Sequence, residues 1–269
     1  TLQTLFLLLA AGITIWIASE ELNLSFGTMV TTISESQYSK IFYWDSSPDN
    51  FFKQFLSGVF ITVVMTGLDQ DMMQKNLTCR NLQEAQRNMY WFSSVLIFIN
   101  IIFLALGALL YLYVDAKGIG HPVKTDQLYT LLAVNRFPAL AGIVYLLGIT
   151  AAAYSSADSA LTSLTTSFCV DFLGFDQKDH HKERKTRLLV HLGFSALLFV
   201  VILSFWWINQ HYKSQAVISG LFTAAGYTYG PLLGLYAFGL FTKRMVNDRY
   251  TLVVTVSSPF LTYGCKLLT

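Results

Sequence analysis

The sequence predicts an all-α integral membrane protein, a single membrane domain over residues 1–269 with about seven transmembrane helices. Three observations predict it: 54% of the residues are hydrophobic, only 13% are charged, and the apolar residues come in long runs. A soluble domain carries about 25% charged residues, so this chain has too few to cover a globular surface. Runs of about 20 apolar residues are long enough to cross a bilayer as helices.

Seven apolar segments account for the predicted helices. The fourth has about 35 residues, or about 50 Å as a helix, so it must tilt strongly or project beyond the bilayer. In chain order the segments are Leu2–Ala18, Phe51–Leu68, Trp91–Val114, Pro138–Phe172, Leu188–Ile208, Ala216–Phe241 and Tyr250–Leu268.

Basic residues predict the orientation of these helices. Eleven of the eighteen lysines and arginines lie in loops 69–90, 173–187 and 242–249, and the loops between them are poorer in basic residues. Cytoplasmic loops are enriched in Lys and Arg. We therefore expect these three loops in the cytoplasm and a multi-pass protein in the plasma (cytoplasmic) membrane.

Two connections are predicted to lie on the side of the membrane opposite the cytoplasm. The first, Glu20–Asn50, is a polar loop with a turn at Ser46–Asp49. The second contains the helix breaker Gly118–Pro122 and then a helix-like stretch, Asp126–Val134, which we interpret as an ordinary loop rather than an extracellular gating helix.

Composition also limits the partners. Net charge is only +2, and no basic block is interleaved with aromatic residues, so we expect the lipid bilayer as a partner, no nucleic acid and no obligate protein partner.

The cysteines, Cys79, Cys169 and Cys265, fit neither a disulfide framework nor a zinc pattern. Because Thr1 opens directly into an apolar run, we expect the chain to be part of a longer protein.

The fourth segment carries the most informative polar residues. Between Ala151 and Ser167 it holds eight serine and threonine hydroxyls and the Asp158 carboxylate. At 3.6 residues per turn the hydroxyls of one face form a stripe: Ser155, Ser159, Thr162 and Thr166. Such residues alone are typical of close helix packing. An ionised Asp158 in a bilayer, however, needs a cation, a proton or water, and hard cations prefer several oxygen ligands, so a cation site is favoured.

A second anomaly lies at the end of the second segment. Gly67 is followed by Asp69, Gln70 and Asp71, which interrupt an apolar helix. Polar backbone at membrane depth is tolerated where it lines a cavity, as in the broken helices of transporters. The helix could equally end at Gly67 with the aspartates in cytoplasmic water, and spacing alone leaves both interpretations open.

Three stretches, taken together, resemble the sodium:solute symporter family, which includes the sodium–glucose cotransporters. Thr66–Lys75, continuing through Leu77 and Asn81, resembles the family's broken-helix motif. Ala152–Asp171 resembles its sodium-site helix. Pro231–Arg244, ending in Phe241-Thr242-Lys243-Arg244, resembles the helix with an aromatic-Lys-Arg tag.

The resemblance implies a five-plus-five inverted-repeat (LeuT-like) transporter core with a broken helix. Residues 2–18 would be the last helix of the first repeat, 51–241 the second five-helix repeat and 250–268 an additional helix, with the N-terminal part of the core absent. The Ala152 carbonyl and the Ser155 and Ser156 hydroxyls would bind Na⁺, the implied coupling ion. Asp69 and Gln70 would face the substrate.

Two departures from the family pattern bear on ligands. Asp158 stands where sugar-transporting members carry Ala or Thr, and Ser155, Asp158 and Ser159 fit a second sodium site of some relatives. Near Phe222 and Thr223 the sugar transporters carry a ligand-binding glutamine that this chain lacks, which weakens the case for a sugar. Phe222 and Thr223 themselves, and Tyr227 on the permeation path, are further candidates for substrate binding.

The function predicted from these residues is sodium-coupled symport of a small polar solute (a sugar, an amino acid or a small organic anion) by alternating access, and not enzymatic catalysis. One alternative is an intramembrane Mg²⁺-dependent prenyltransferase-type enzyme using Asp69 and Asp71. The other is a seven-helix receptor. No metal other than Na⁺ is expected.

Overall fold

A computed structural model describes residues 2–175, 180–211 and 217–268. Every regular element in these ranges is helical, which confirms the all-α class. The helices are α1 (Leu2–Glu21), α2 (Phe26–Glu35), α3 (Phe51–Gly67), α4 (Gln70–Leu77), α5 (Leu82–Ala116), α6 (Leu128–Asn135), α7 (Ala139–Ser167), α8 (His180–His211), α9 (Val217–Phe241) and α10 (Asp248–Leu268).

Membrane-crossing length and apolarity are met by four of the described helices. They are α1, α5, α7 with the π-helical turn Phe168–Phe172 that extends it, and the Arg184–Ile208 part of α8. A fifth span results if α3 and α4, which meet at an angle of 56°, are counted as one bent span. All seven predicted segments are helical over their described residues, whereas the count of seven crossings stays a prediction.

The chain forms two compact units. One contains Thr1–Lys40 and Lys75–Ser214, and the other contains Ile41–Gln74 and Gln215–Thr269. In the first unit α7 packs against α1, α6 and α8, and α5 packs against α1. In the second unit α9 packs against both α3 and α10.

The buried core of the first unit lies where the end of α1, the end of α5, α6 and the start of α7 meet. Its largest fully buried apolar side chains are Leu106, Leu109, Leu132 and Val114. The outward faces of α3, α5, α8 and α10 remain rich in exposed Leu, Val, Ile and Phe, as expected for surfaces that face lipid.

Two helices correct the sequence interpretation. The stretch after the Gly118–Pro122 breaker is not an ordinary loop: it forms a 3₁₀ turn, Thr125–Gln127, and then α6. Leu128 and Leu132 of α6 are buried. Tertiary packing therefore stabilises this helix, which the local sequence pattern did not predict. In the first polar loop, α2 begins at the N-cap Ser25, whose hydroxyl accepts a hydrogen bond from the Thr28 amide.

Candidate functional site

Helix α7 is held at its N-terminal half by close backbone contacts. A Cβ atom added to Gly142 would lie 2.7 Å from the Ala133 carbonyl oxygen of α6, and one added to Gly148 would lie 3.2 Å from the Leu7 backbone nitrogen of α1. Glycine at these two positions lets three helix backbones approach where a larger residue would keep them apart.

Hydrogen bonds between side chains fix the same three helices. Thr14 Oγ1 of α1 lies 3.0 Å from Tyr129 Oη of α6, and Thr130 Oγ1 of α6 lies 2.6 Å from Tyr145 Oη of α7. The rings of Tyr129 and Tyr145 are 4.4 Å apart. Burial raises the pKa of the Tyr129 phenol, against a smaller opposing effect of the Thr14 hydrogen bond, so this hydroxyl stays neutral. The interface therefore aligns α7 rigidly against α1.

The middle of α7 is uncovered by the described parts of the chain. From Ile149 to Thr162 no residue is buried, although residues on both sides of this stretch are. All five predicted sodium-site residues fall within it: Ser155, Ser156 and Asp158 are exposed, and Ala152 and Ser159 are partly buried.

Helix α1 lies alongside the first half of α7. Its contacts run antiparallel to α7, because Leu7 meets Gly148 and Ala10 clusters with Tyr145. From Leu7 back to Leu2, α1 extends about 7–8 Å, whereas Ser155 lies about 10 Å beyond Gly148. The predicted site therefore begins about where the described part of α1 stops.

The C-terminal end of α7 is anchored on α8. Thr165 is buried, and its Oγ1 lies 3.2 Å from His191 Nδ1. The Phe168 ring meets Phe194 edge-on at 5.8 Å. Sequence reasoning counted Thr165 among the eight hydroxyls of this segment but missed His191. The sequence does carry a signal for His191: it lies on the same helix face as Arg184 and Leu188, at spacings of i, i+4 and i+7.

The break between α3 and α4 lies at Leu68–Asp69, a position that both sequence interpretations allow. Asp69 is exposed, and its Oδ1 accepts a hydrogen bond from the Met72 amide at 3.0 Å, so the carboxylate caps the start of α4. Gln70 is the first residue of α4 and is also exposed. Capping α4 is therefore a structural role for Asp69 that requires no contact with a substrate.

The other predicted substrate residues lie on α9, in the same unit as Asp69 and Gln70. Phe222 and Thr223 are exposed. Tyr227 is partly buried, and its ring lies edge-on to that of Tyr263 of α10 at 6.0 Å. Helix α9 also packs against α3. One unit therefore carries all of the predicted substrate residues, and the other carries the predicted sodium ligands.

Long apolar helices, one of them broken and another carrying an open strip of oxygen atoms, are the features of a multi-pass membrane transporter. The sequence profile of the sodium:solute symporter family matches residues 1–249, and the chain belongs to this family. Its members are transporters, so the expectation that the chain is not an enzyme is confirmed, and the prenyltransferase and receptor alternatives find no support.

Two curated relatives are similar over most of the chain. The sodium/sialic acid symporter SiaT of Proteus mirabilis (strain HI4320) is 25% identical over 191 residues, which is 69% of this chain and 38% of the relative. The sodium/sialic acid symporter NanT of Aliivibrio fischeri (strain ATCC 700601 / ES114) is 24% identical over 192 residues, 70% of this chain and 37% of the relative. The chain thus spans less than two fifths of their length. No solved structure matches it.

Proposed function

We propose that this chain forms the C-terminal half of the transport core of a sodium-coupled symporter that works by alternating access. In this proposal α1 ends the first repeat, residues 51–241 form the second repeat of a LeuT-like core, and α10 is an additional helix. The family match supports the sodium coupling. The observation that carries the proposal is the uncovered oxygen strip of α7, in a helix long enough to cross the membrane.

The chemistry of that strip suits Na⁺. Within the strip, Ser155, Ser156 and Ser159 offer hydroxyl oxygens, Ala152 a carbonyl and Asp158 a carboxylate, and hard cations bind oxygen ligands of these kinds. A charged Asp158 at the bilayer centre costs about 2.5–3.5 kcal/mol unless a cation offsets it. We propose that the Ala152 carbonyl and the hydroxyls of Ser155 and Ser156 hold one Na⁺, and that Ser155, Asp158 and Ser159 hold a second.

Coupling follows from differential binding. A sodium ion held between α7 and the first helix of the core would stabilise the outward-open state, and release to low cytoplasmic sodium would favour the inward-open state. Sodium drives uptake only as far as it binds the two states differently. In this arrangement loops 69–90, 173–187 and 242–249 face the cytoplasm from the plasma membrane.

For the solute we propose a small organic anion, with sialic acid the first to test. The support is the similarity to two sodium/sialic acid symporters, together with the missing sugar-binding glutamine near Phe222 and Thr223. Asp69, Gln70 and Tyr227 are the further residues proposed to line its path.

The test is uptake into proteoliposomes of the natural full-length protein, with sialic acid, neutral sugars and amino acids, with and without an inward sodium gradient. Accumulation should require sodium. Ser156→Ala should raise the sodium concentration for half-maximal uptake about tenfold, which corresponds to about 1.4 kcal/mol. Ser204→Ala is the matched control, because the Ser204 hydroxyl donates to its own helix at Val200 O (2.8 Å). Accumulation driven by a pH gradient and indifferent to sodium would contradict the proposal.

A further inference from the structure

A cavity lies between the C-terminal end of α7 and the start of α8, both in the same compact unit. Its volume is about 430 Å³, within the range of small-ligand sites. Its lining residues are Thr162, Thr165, Thr166, Arg184, Arg187, Leu188 and His191. Neither the proposed sodium coordination nor the proposed solute path uses it.

The charge of this cavity is one-sided. Arg184 and Arg187 present two guanidinium groups from neighbouring turns of α8, and no acidic side chain is among the described residues that line the cavity. Neither arginine forms an ion pair with a residue whose side chain the structure describes. Two cations with no counter-ion among those side chains make the cavity attractive to an anion.

Hydrogen bonding orients the histidine in the wall. The Thr165 hydroxyl donates its only hydrogen to the Leu161 carbonyl oxygen at 2.6 Å. Its oxygen, 3.2 Å from His191 Nδ1, must therefore accept, which requires a hydrogen on Nδ1. This bond orients the ring, with Nε2 turned away from Thr165.

Position along the helix indicates what such an anion is. The apolar run of α8 begins at Leu188, directly after Arg184 and Arg187. A membrane-crossing helix with this pattern places the two arginines at the boundary between hydrocarbon and water, at the depth of lipid headgroups. Guanidinium groups match the oxygens of phosphate in bidentate geometry. Hydroxyls of Thr162 and Thr166 are on the opposite wall.

We infer that the cavity between α7 and α8 is an oxyanion site that takes a phosphate group, with Arg184 and Arg187 as its principal contacts. The phosphate comes either from an anionic phospholipid headgroup or from free phosphate. In the orientation proposed above, the site opens at the cytoplasmic surface. It does not depend on the sodium site, because its ligand and its residues are different.

The test measures binding rather than transport. Purified full-length protein is titrated with inorganic phosphate by calorimetry at constant ionic strength, and phospholipid retention is counted by native mass spectrometry after reconstitution in phosphatidylglycerol or phosphatidylcholine nanodiscs. The variants are Arg184→Gln with Arg187→Gln, and Lys185→Gln as the control. Lys185 carries the same charge in the same turn but does not line the cavity.

The arginine pair variant should lose affinity for phosphate or phosphatidylglycerol by about tenfold or more, and Lys185→Gln by less than about threefold. If the pair variant retains less phosphatidylglycerol but binds inorganic phosphate as before, the lipid is the source of the phosphate group. If its calorimetric binding of inorganic phosphate is lost, the source is the free anion. Equal losses in both variants, or binding of neither probe by the unmodified protein, would overturn the inference.

If the pair variant is not monodisperse, the Arg187→Lys variant is used instead. This substitution keeps the charge but loses the planar fork, so unchanged binding would count against the site.

Discussion

The α-carbon of Gly142 lies so close to α6 that a Cβ atom there would come within 2.7 Å of the Ala133 carbonyl oxygen. Because that neighbour is backbone, it cannot move aside as a flexible side chain would. Gly142→Ala should therefore separate α6 from α7 and destabilise the protein by about 1–3 kcal/mol. The measurement is thermal unfolding of the purified protein in detergent.

Gly107 of α5 provides the control for that substitution. A Cβ atom there would meet nothing within 4 Å, and alanine is the better helix former by about 1 kcal/mol. Gly107→Ala should leave the melting temperature unchanged or raise it. Equal melting temperatures for the two alanine variants would show that the α6–α7 contact does not constrain the fold.

Thr14 and Tyr129 should be energetically coupled through their hydrogen bond. Thr14→Val and Tyr129→Phe each remove one hydroxyl of a bond that measures 3.0 Å, and Thr14 is fully buried. A double-mutant cycle on unfolding free energies should give a coupling of about 0.5–1.5 kcal/mol. Additive effects of the two substitutions would mean that α1 and α6 are joined by apolar packing alone.

Asp158 should set the sodium stoichiometry if it belongs to a second ion site. Asp158→Ala removes the carboxylate of that proposed site while Ser156 and the Ala152 carbonyl remain for the first. We expect a lower Hill coefficient for sodium-dependent uptake, with uptake retained. An unchanged coefficient together with normal uptake would eliminate the second site and leave one ion per cycle.

Ser163 and Thr165 should respond oppositely to loss of their hydroxyls. The buried Ser163 Oγ has no hydrogen-bond partner within the described structure, so Ser163→Ala should leave stability unchanged or raise it by up to about 1 kcal/mol. Thr165 Oγ1 bonds both Leu161 O and His191 Nδ1, so Thr165→Val should cost about 1 kcal/mol or more. Chemical unfolding of the two variants side by side tests this difference; a destabilised Ser163→Ala would reveal a partner for that hydroxyl.

Hydropathy predicted where membrane helices lie better than where helices begin. Helix α5 starts at Leu82, capped by Asn81 through a bond to the Glu84 amide, whereas the apolar pattern begins at Trp91. The intervening residues are polar but helical, because capping and helix propensity operate outside the bilayer as well as inside it. A hydropathy pattern reports the solvent around a helix rather than its ends.

The elements that sequence reasoning missed are those made by packing. Helix α6 is short, and the burial of Leu132 against α1, α5 and α7 depends on contacts distant in the sequence. The same holds for the α7–α8 cavity, since His191 is unremarkable until Thr165 lies beside it. By contrast, the break at Asp69 and the polar strip of α7 were predictable, because each puts polar residues into an apolar run.

Helix α7 does not end as an α-helix. Its last turn, Phe168–Phe172, is π-helical, with the Leu173 amide bonded to Phe168 O at 3.2 Å. A π turn holds one residue more than the α turn it replaces, so deleting a single residue here would restore regular winding while leaving Thr165 and everything before it in phase. Because the α turn that results covers about the same rotation with one residue fewer, the chain after it would leave the helix in nearly the same direction. A difference of one residue is therefore absorbed within this turn, and homologues shorter by one residue here should keep the contact of Thr165 with α8.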